Sequence, residues 1–210
     1  MTPGGRLADE IASALSPRII GREVIVRERV TSTSDIVASL ARAGAPEGLA
    51  VVALEQTAGR GRFARRWHSP RGEGLWMSVL LRPRSGALLP VLGALALARG
   101  CERFLARRLG VKWPNDVVAG SRKLGGILVE SAGGACVLGV GCNISLDPVE
   151  TPREIRESAI CMATLGAAVG VAELAAAVLG EMDAIYPPGP GLLGEWRERS
   201  TLIGERVRLA

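Results

Sequence analysis

Apolar and polar positions change period several times along this chain. Residues 7–15 place apolar side chains on one helical face, and 23–27 alternate as a strand does. The run Thr31-Ser32-Thr33-Ser34-Asp35 supplies N-cap hydroxyls, so a helix is expected from about Asp35 to Ala43. Gly44 to Gly48 reads as a turn, and 49–54 as an apolar strand. A loop then runs to about Gly74, followed by a strand over 75–81 that Pro83 stops. Residues 88–109 predict one long helix, apolar nearly all round over its first half and therefore buried. Residues 111–118 predict a strand interrupted by Pro114. The runs 123–130 and 135–141 predict an antiparallel pair turned by Gly133-Gly134. Helices are expected at about 153–168, 171–185 and 191–200, with a lone strand at 204–209.

Strands cluster in the middle of the chain instead of alternating strictly with helices. That order predicts an α+β fold, a mixed β-sheet backed by helices, and not a doubly wound parallel sheet. The hydrophobic share of 48% is ample for a core, while the aromatic share of 3% makes each Trp conspicuous. Trp67 and Trp113 stand in polar motifs instead of apolar runs.

The formal net charge is +5. Arg60, Arg62, Arg65, Arg66 and Arg71 match that excess within one glycine-containing loop. Charge gathered in a single loop favours a small phosphate ligand over a nucleic acid. Cys101, Cys136, Cys142 and Cys161 lack metal-ligand spacing, and His68 is the one histidine, so a zinc site is not expected. The cysteines read as small buried hydrophobes of a reducing compartment. No apolar signal core opens the sequence, and its most apolar run, 88–98, is too short to span a bilayer. The expectation is a soluble, cytoplasmic protein.

A strand that empties into Gly59-Arg60-Gly61-Arg62-Phe63-Ala64 offers close backbone approach and forked cationic donors, with Trp67 as a stacking face. The dinucleotide fingerprint fits the glycines alone. Pro70 precludes the required helix, and no acid lies near position 80. A solvated basic loop is the plain alternative. Lys112-Trp113-Pro114-Asn115-Asp116 joins a cation to two hydrogen-bonding side chains that strands disfavour, although such a string also makes an ordinary turn. Lys123 stands before Leu124, Gly125, Gly126, Ile127 and Leu128, where a strand-end ammonium can reach a phosphate or merely meet solvent. Ser32, Thr33 and Gln56 are either caps or ligand contacts. No Walker A string, GxSxG or nucleophile–base pair occurs.

The strings GRGRFARRW (59–67), KWPND (112–116), RKLGGILVE (122–130) and GVGCNIS (139–145), in that order, resemble biotin protein ligase. The likeness covers about residues 25–200. It implies a class II synthetase-like catalytic domain, shared with lipoate ligases. It also implies the activity of a biotin–[acetyl-CoA-carboxylase] ligase. Biotin and ATP would form biotinyl-5′-AMP, and a lysine of a biotin carboxyl carrier protein would then take the biotin. By residue-by-residue match, Lys123 and Arg62 are the catalytic candidates. Ser32, Thr33, Gln56, Gly59, Arg60, Gly61, Arg62 and Lys123 would hold biotin, with Leu124, Gly125, Gly126, Ile127 and Leu128 lining its channel. Arg60, Arg62, Trp67, Lys112, Asn115, Asp116, Lys123 and Asn143 would hold the nucleotide. Mg²⁺ would arrive with ATP, near Asp116, and not at a protein-only metal site. The loop would be disordered without ligand and ordered with it.

The departures are Ser34, where Asn is common, and Phe63-Ala64, where a basic or polar residue and a Gly are common. With no winged-helix segment before residue 25, neither DNA nor a membrane is an expected partner; a homodimer through an edge strand is one option. Residues 1–200 would form the catalytic domain and 201–210 the first strand of an SH3-like domain. The alternatives are a lipoate or octanoyl transferase of the same superfamily and a non-catalytic paralogue that binds biotin or its adenylate.

Overall fold

The structure is a computed structural model that describes residues 3–147 and 149–206. Seven strands form one sheet in the order β1-β2-β3-β7-β6-β5-β4. They are β1 (Val24–Val30), β2 (Ala50–Gln56), β3 (Gly74–Leu81), β4 (Gly110–Lys112), β5 (Asp116–Ala119), β6 (Arg122–Ala132) and β7 (Ala135–Asn143). β1 and β2 are parallel, as their helical crossover requires, and every other pairing is antiparallel. The sheet is therefore mixed, as the element order predicts.

The strands are apolar on both faces because both are covered. On one side α1 (Pro3–Ser13), α3 (Leu89–Glu102), α5 (Val171–Ile185) and α6 (Leu192–Arg199) enclose the larger core, built on Leu75, Met77, Val79, Leu138, Val140 and Cys142. On the other, α2 (Thr33–Arg42) covers one part of the sheet through Val37, against Val51, Leu80 and Val137. Beyond the N-terminus of α2, polar residues of the sheet lie on that face. Ser32 caps α2, its Oγ accepting from Ser34 N at 3.3 Å.

Four expectations need correction. The helix expected over 88–109 ends at Glu102. Its carboxylate accepts from Leu109 N at 2.6 Å, folding 103–109 back so that Leu109 enters the core and β4 can begin. Residues 111–118 are not one strand. Lys112 pairs with Asp116 across a turn at 113–115, and Pro114, lacking an N–H, stands in the turn. The helix expected over 153–168 stops after α4 (Arg153–Ser158). Ala159 then bridges to Lys123, and Ile160 N donates to Lys123 O at 2.9 Å. This turns the apolar Ile160, Cys161 and Met162 inward. Of the strand expected at 204–209, Gly204 stands in a turn with φ +84°, Glu205 and Arg206 are irregular, and the rest lies outside the described residues.

Candidate active site

β2 leads directly into the arginine loop. Arg60 and Arg66 pair as a short bridge, with Gly61 N donating to Arg65 O at 2.7 Å and Trp67 N to Gly59 O at 2.9 Å. The tip is a single 3₁₀ turn, Arg62–Ala64, in which Phe63 and Ala64 take φ of 56° and 57°. Two adjacent non-glycine residues in the left-handed region are uncommon and carry strain. No helix starts at the glycines, so the dinucleotide geometry is absent.

The loop covers a cavity of about 470 Å³ on the face that α2 leaves open. Its closed end is made of hydroxyls and one amide. Thr33 donates from N (2.9 Å) and Oγ1 (3.1 Å) to Gln56 Oε1, and Gln56 Nε2 donates to Ser69 Oγ at 3.0 Å. Ser78 Oγ lies 2.7 Å from Thr33 Oγ1 and 3.1 Å from Ser34 Oγ. Ser32, Thr33, Ser34, Ser69 and Ser78 are all buried, so each pairing is obligatory in its low-dielectric setting. Ser78 and Ser69 escaped sequence reasoning. A lone Ser between Met77 and Val79 looks like any strand residue until its cross-face partners are known.

The middle wall is Leu128, Gly139 and the strands at Ile127 and Val140, whose side chains belong to the helix-side core. The opposite end is cationic. Lys123 Nζ lies 2.7 Å from Asp116 Oδ1 and 4.9 Å from the centre of the Trp67 ring. Arg62 Nη1 approaches Asn115 Oδ1 at 3.5 Å, and its guanidinium stands 4.8 Å from the Phe63 ring. Asn115 is fixed by reciprocal 2.8 Å bonds with Ile127, its Nδ2 donating to Ile127 O and its O accepting from Ile127 N. The Trp67 indole packs edge-on to Trp76, ring centres 6.5 Å apart, and lies over Gly141. Among the described residues, Trp67 Nε1 and His68 Nε2 are buried without a hydrogen-bond partner. Arg60, Arg62, Arg65, Arg66, Lys112 and Lys123 face the cavity against Glu73 and Asp116, so the excess charge is positive.

Most of the expected site residues therefore share one cavity, drawn from the loop, α2, β2, the β4–β5 turn, β6 and β7. Three do not line it. Leu124 is fully buried in the core, and position 125 faces Leu97 of α3, because a bulge in the β5–β6 pairing turns Lys123 and Gly126 toward the cavity. Gly59 lies behind the wall, where a Cβ would meet Ser69 Oγ and Trp67 O at 2.7 Å. Arg60 is held by two acids: Nε and Nη2 donate to Glu130 at 3.2 and 3.1 Å, and Nη1 pairs with Asp35 at 2.8 Å. Its pKa rises above the arginine value, first through Glu130 and then, against desolvation, through Asp35. Asn143 lines the cavity while its Nδ2 donates to Ile160 O at 3.1 Å.

Such a cavity is equipped for a ligand with a hydrogen-bonding head, an apolar stem and an anionic end beside an aromatic group. The model of the biotin/lipoate A/B protein ligase family matches residues 26–147. This chain belongs to that family. Among relatives, the biotin–[acetyl-CoA-carboxylase] ligase of Mycobacterium tuberculosis is 32% identical over 198 residues, 88% of this chain and 73% of that protein. The bifunctional ligase/repressor BirA of Bacillus subtilis is 36% identical over 166 residues, 75% of this chain and 51% of that protein. The chain thus spans about half the length of several curated relatives. Among solved structures, the Leishmania major biotin protein ligase in complex with biotinyl-5-AMP superposes with TM-score 0.75 at 28% identity, covering 90% of this chain and 85% of that one. The Aquifex aeolicus ligase in complex with biotin and ATP gives 0.70 at 29%, covering 85% and 73%. The family's matched segment contains the loop, the KWPND turn and Lys123.

Proposed function

We propose that the protein activates biotin with ATP to biotinyl-5′-AMP and transfers the biotin to a lysine of a carrier protein. One observation carries the reading: Lys123 Nζ stands between the Asp116 carboxylate and the Trp67 ring, in the same cavity as the Thr33–Gln56–Ser78 cluster. Names of relatives that are biotin ligases support it.

A ureido ring offers N–H donors and a carbonyl, which the hydroxyl-and-amide end can meet; a dithiolane offers those polar groups no comparable hydrogen-bonding partner. The apolar wall accepts the valeryl stem. In the first step a biotin carboxylate oxygen attacks the α-phosphorus, and the bond to pyrophosphate breaks. Two anions must approach, and Lys123 and Arg62 offset their repulsion at the reacting atoms. Trp67 supplies the face for adenine. In the second step the carrier amine attacks the acyl carbon, AMP leaves, and the amine loses a proton.

Among the described residues no group of three or more His, Cys, Asp and Glu is arranged to hold a metal. Mg²⁺ would come with the nucleotide, Asp116 among the cavity's carboxylates would help to hold it, and it would supply charge neutralisation. Among the described residues no helix is long and apolar enough to cross a membrane. The cytoplasm is the compartment this reading assigns.

Titration calorimetry with biotin and with lipoate, each with and without ATP, tests the substrate. Biotin should bind and lipoate should not; the reverse would move the assignment to the lipoate branch. Lys123→Ala should cut biotin-dependent ATP–pyrophosphate exchange by ~10²-fold or more. Near-normal exchange would remove Lys123 from the chemistry.

A further inference from the structure

The family resemblance puts Arg60 on the ligand, yet its guanidinium is already occupied. Nε, Nη1 and Nη2 all lie 2.8–3.2 Å from the carboxylates of Asp35 and Glu130. Two negative groups meet one positive group there, so Arg60 has no uncompensated charge to offer an anion. The two acids come from separate elements. Asp35 is in the first turn of α2, beside the capping Ser32, and Glu130 is on β6, downstream of Lys123. Arg60 itself forms the base of the 60–66 loop, paired with Arg66. The tip has fewer anchors: Phe63 is 80% exposed, and among the described residues the Arg62 side chain meets Asn115 at 3.5 Å and the Phe63 ring.

We propose that Asp35 and Glu130 are positioning residues that pin Arg60 and so hold the loop closed over the cavity, leaving Arg62, Arg65 and Arg66 as the loop's cations toward ligand. The pin is partly solvated: side-chain exposure is 35% for Arg60 and Glu130 and 50% for Asp35. Ion pairs this exposed are individually weak and weaken further with salt, so the loop can open to admit ligand.

Limited trypsin digestion of the ligand-free full chain, with cleavage sites mapped by mass spectrometry, tests the pin without relying on catalysis. Glu130→Gln keeps the shape of the side chain and removes its charge. Cleavage at Arg60, Arg62, Arg65 and Arg66 should accelerate ~3–10-fold relative to cleavage at Arg153. The double variant with Asp35→Asn should accelerate it further. Raising salt should accelerate loop cleavage in the natural protein and leave the double variant unmoved, a response that a merely structural role would not produce. Should Glu130→Gln fail to fold, Asp35→Asn alone carries the same measurement at the other anchor. Loop cleavage unchanged in the folded variants, or insensitive to salt in the natural protein, would overturn the proposal. A second arm rests on the biotin-ligase reading: the variants should release bound biotinyl-AMP ~3–10-fold faster, and unchanged release with a faster-cut loop would overturn the link between loop and ligand. If the natural protein forms no biotinyl-AMP, that reading fails on its own and the protease arm still decides the pin.

Discussion

At Gly141 the strand has no Cβ, and the Trp67 indole takes that space: a Cβ built there would lie 2.6 Å from Trp67 Cε2. Gly141→Ala therefore displaces the indole from the cavity wall. Loss of a base-stacking platform costs about 1–3 kcal/mol, so calorimetry should show ATP affinity falling ~10-fold or more. Unchanged affinity would mean that Trp67 is not the adenine face. The same scale explains the hydroxyl end. Ser34 stands where Asn is common in the resembling family, and its shorter side chain reaches Ser78 Oγ at 3.1 Å instead of extending into the cavity. Position 32 was legible as a cap and position 33 as a polar neighbour. The partnership of Thr33 with Gln56 and Ser78 was not, because those contacts span 23 and 45 residues.

Between elements, the hairpin β4–β5 carries Lys112, Asn115 and Asp116 to the cavity, and α6 steadies its turn. Trp113 and Trp196 meet edge to face with ring centres 5.7 Å apart. Trp196 does not line the cavity, so Trp196→Ala should act through the turn. Such a pair contributes about 0.5–1.5 kcal/mol beyond burial, and exchange turnover should fall ~3–10-fold as Asp116 and Lys123 lose their setting. Turnover unchanged despite red-shifted Trp113 fluorescence would show the turn to be rigid without α6. The helix is held in turn by Arg199, whose side chain is 7% exposed. It donates to Glu102 at 3.0 Å and to Glu195 at 2.9 Å. Arg199→Ala leaves two carboxylates short of a partner and should destabilise by the lower end of about 3–5 kcal/mol in denaturant unfolding. Glu195 is held below its ordinary value of 4.5, first by Arg99, against desolvation, and then by Arg199. A carboxyl with a depressed folded pKa contributes its stability above the unfolded value and loses it as pH falls through the folded one. Stability should therefore decline below about pH 4.5, less steeply in Arg199→Ala. An equal acid slope in both proteins would detach Glu195 from Arg199.

For the whole molecule, β3 and β7 lie at the centre of the sheet with helices over both faces, whereas β1 and β4 are its edges. Hydrogen exchange should be slowest in β3 and β7, opening only on global unfolding, and fastest in the 60–66 loop. Loop protection equal to that of β7 would contradict the division between frame and cover. The frame was largely legible from the chain. Every strand before 143 except the split hairpin was foreshadowed by alternation or apolar runs, α1 by its apolar helical face and α2 by its capping hydroxyls, since these signals act over a few neighbouring residues. The helix ends at Glu102 and Ser158 were not legible, because distant partners set them: Leu109 returning to the core in one case, the Lys123 strand in the other. The site divides in the same way. By itself the sequence determined which residue types were present for anion and ring recognition, and in which motifs they stood. Only the tertiary structure decided that Lys123 meets Asp116 and Trp67, that Leu124 and Gly125 turn away, and that Arg60 is spent on Asp35 and Glu130. A side chain's type is a local property, whereas its partner depends on strand order and register, which long-range pairing sets.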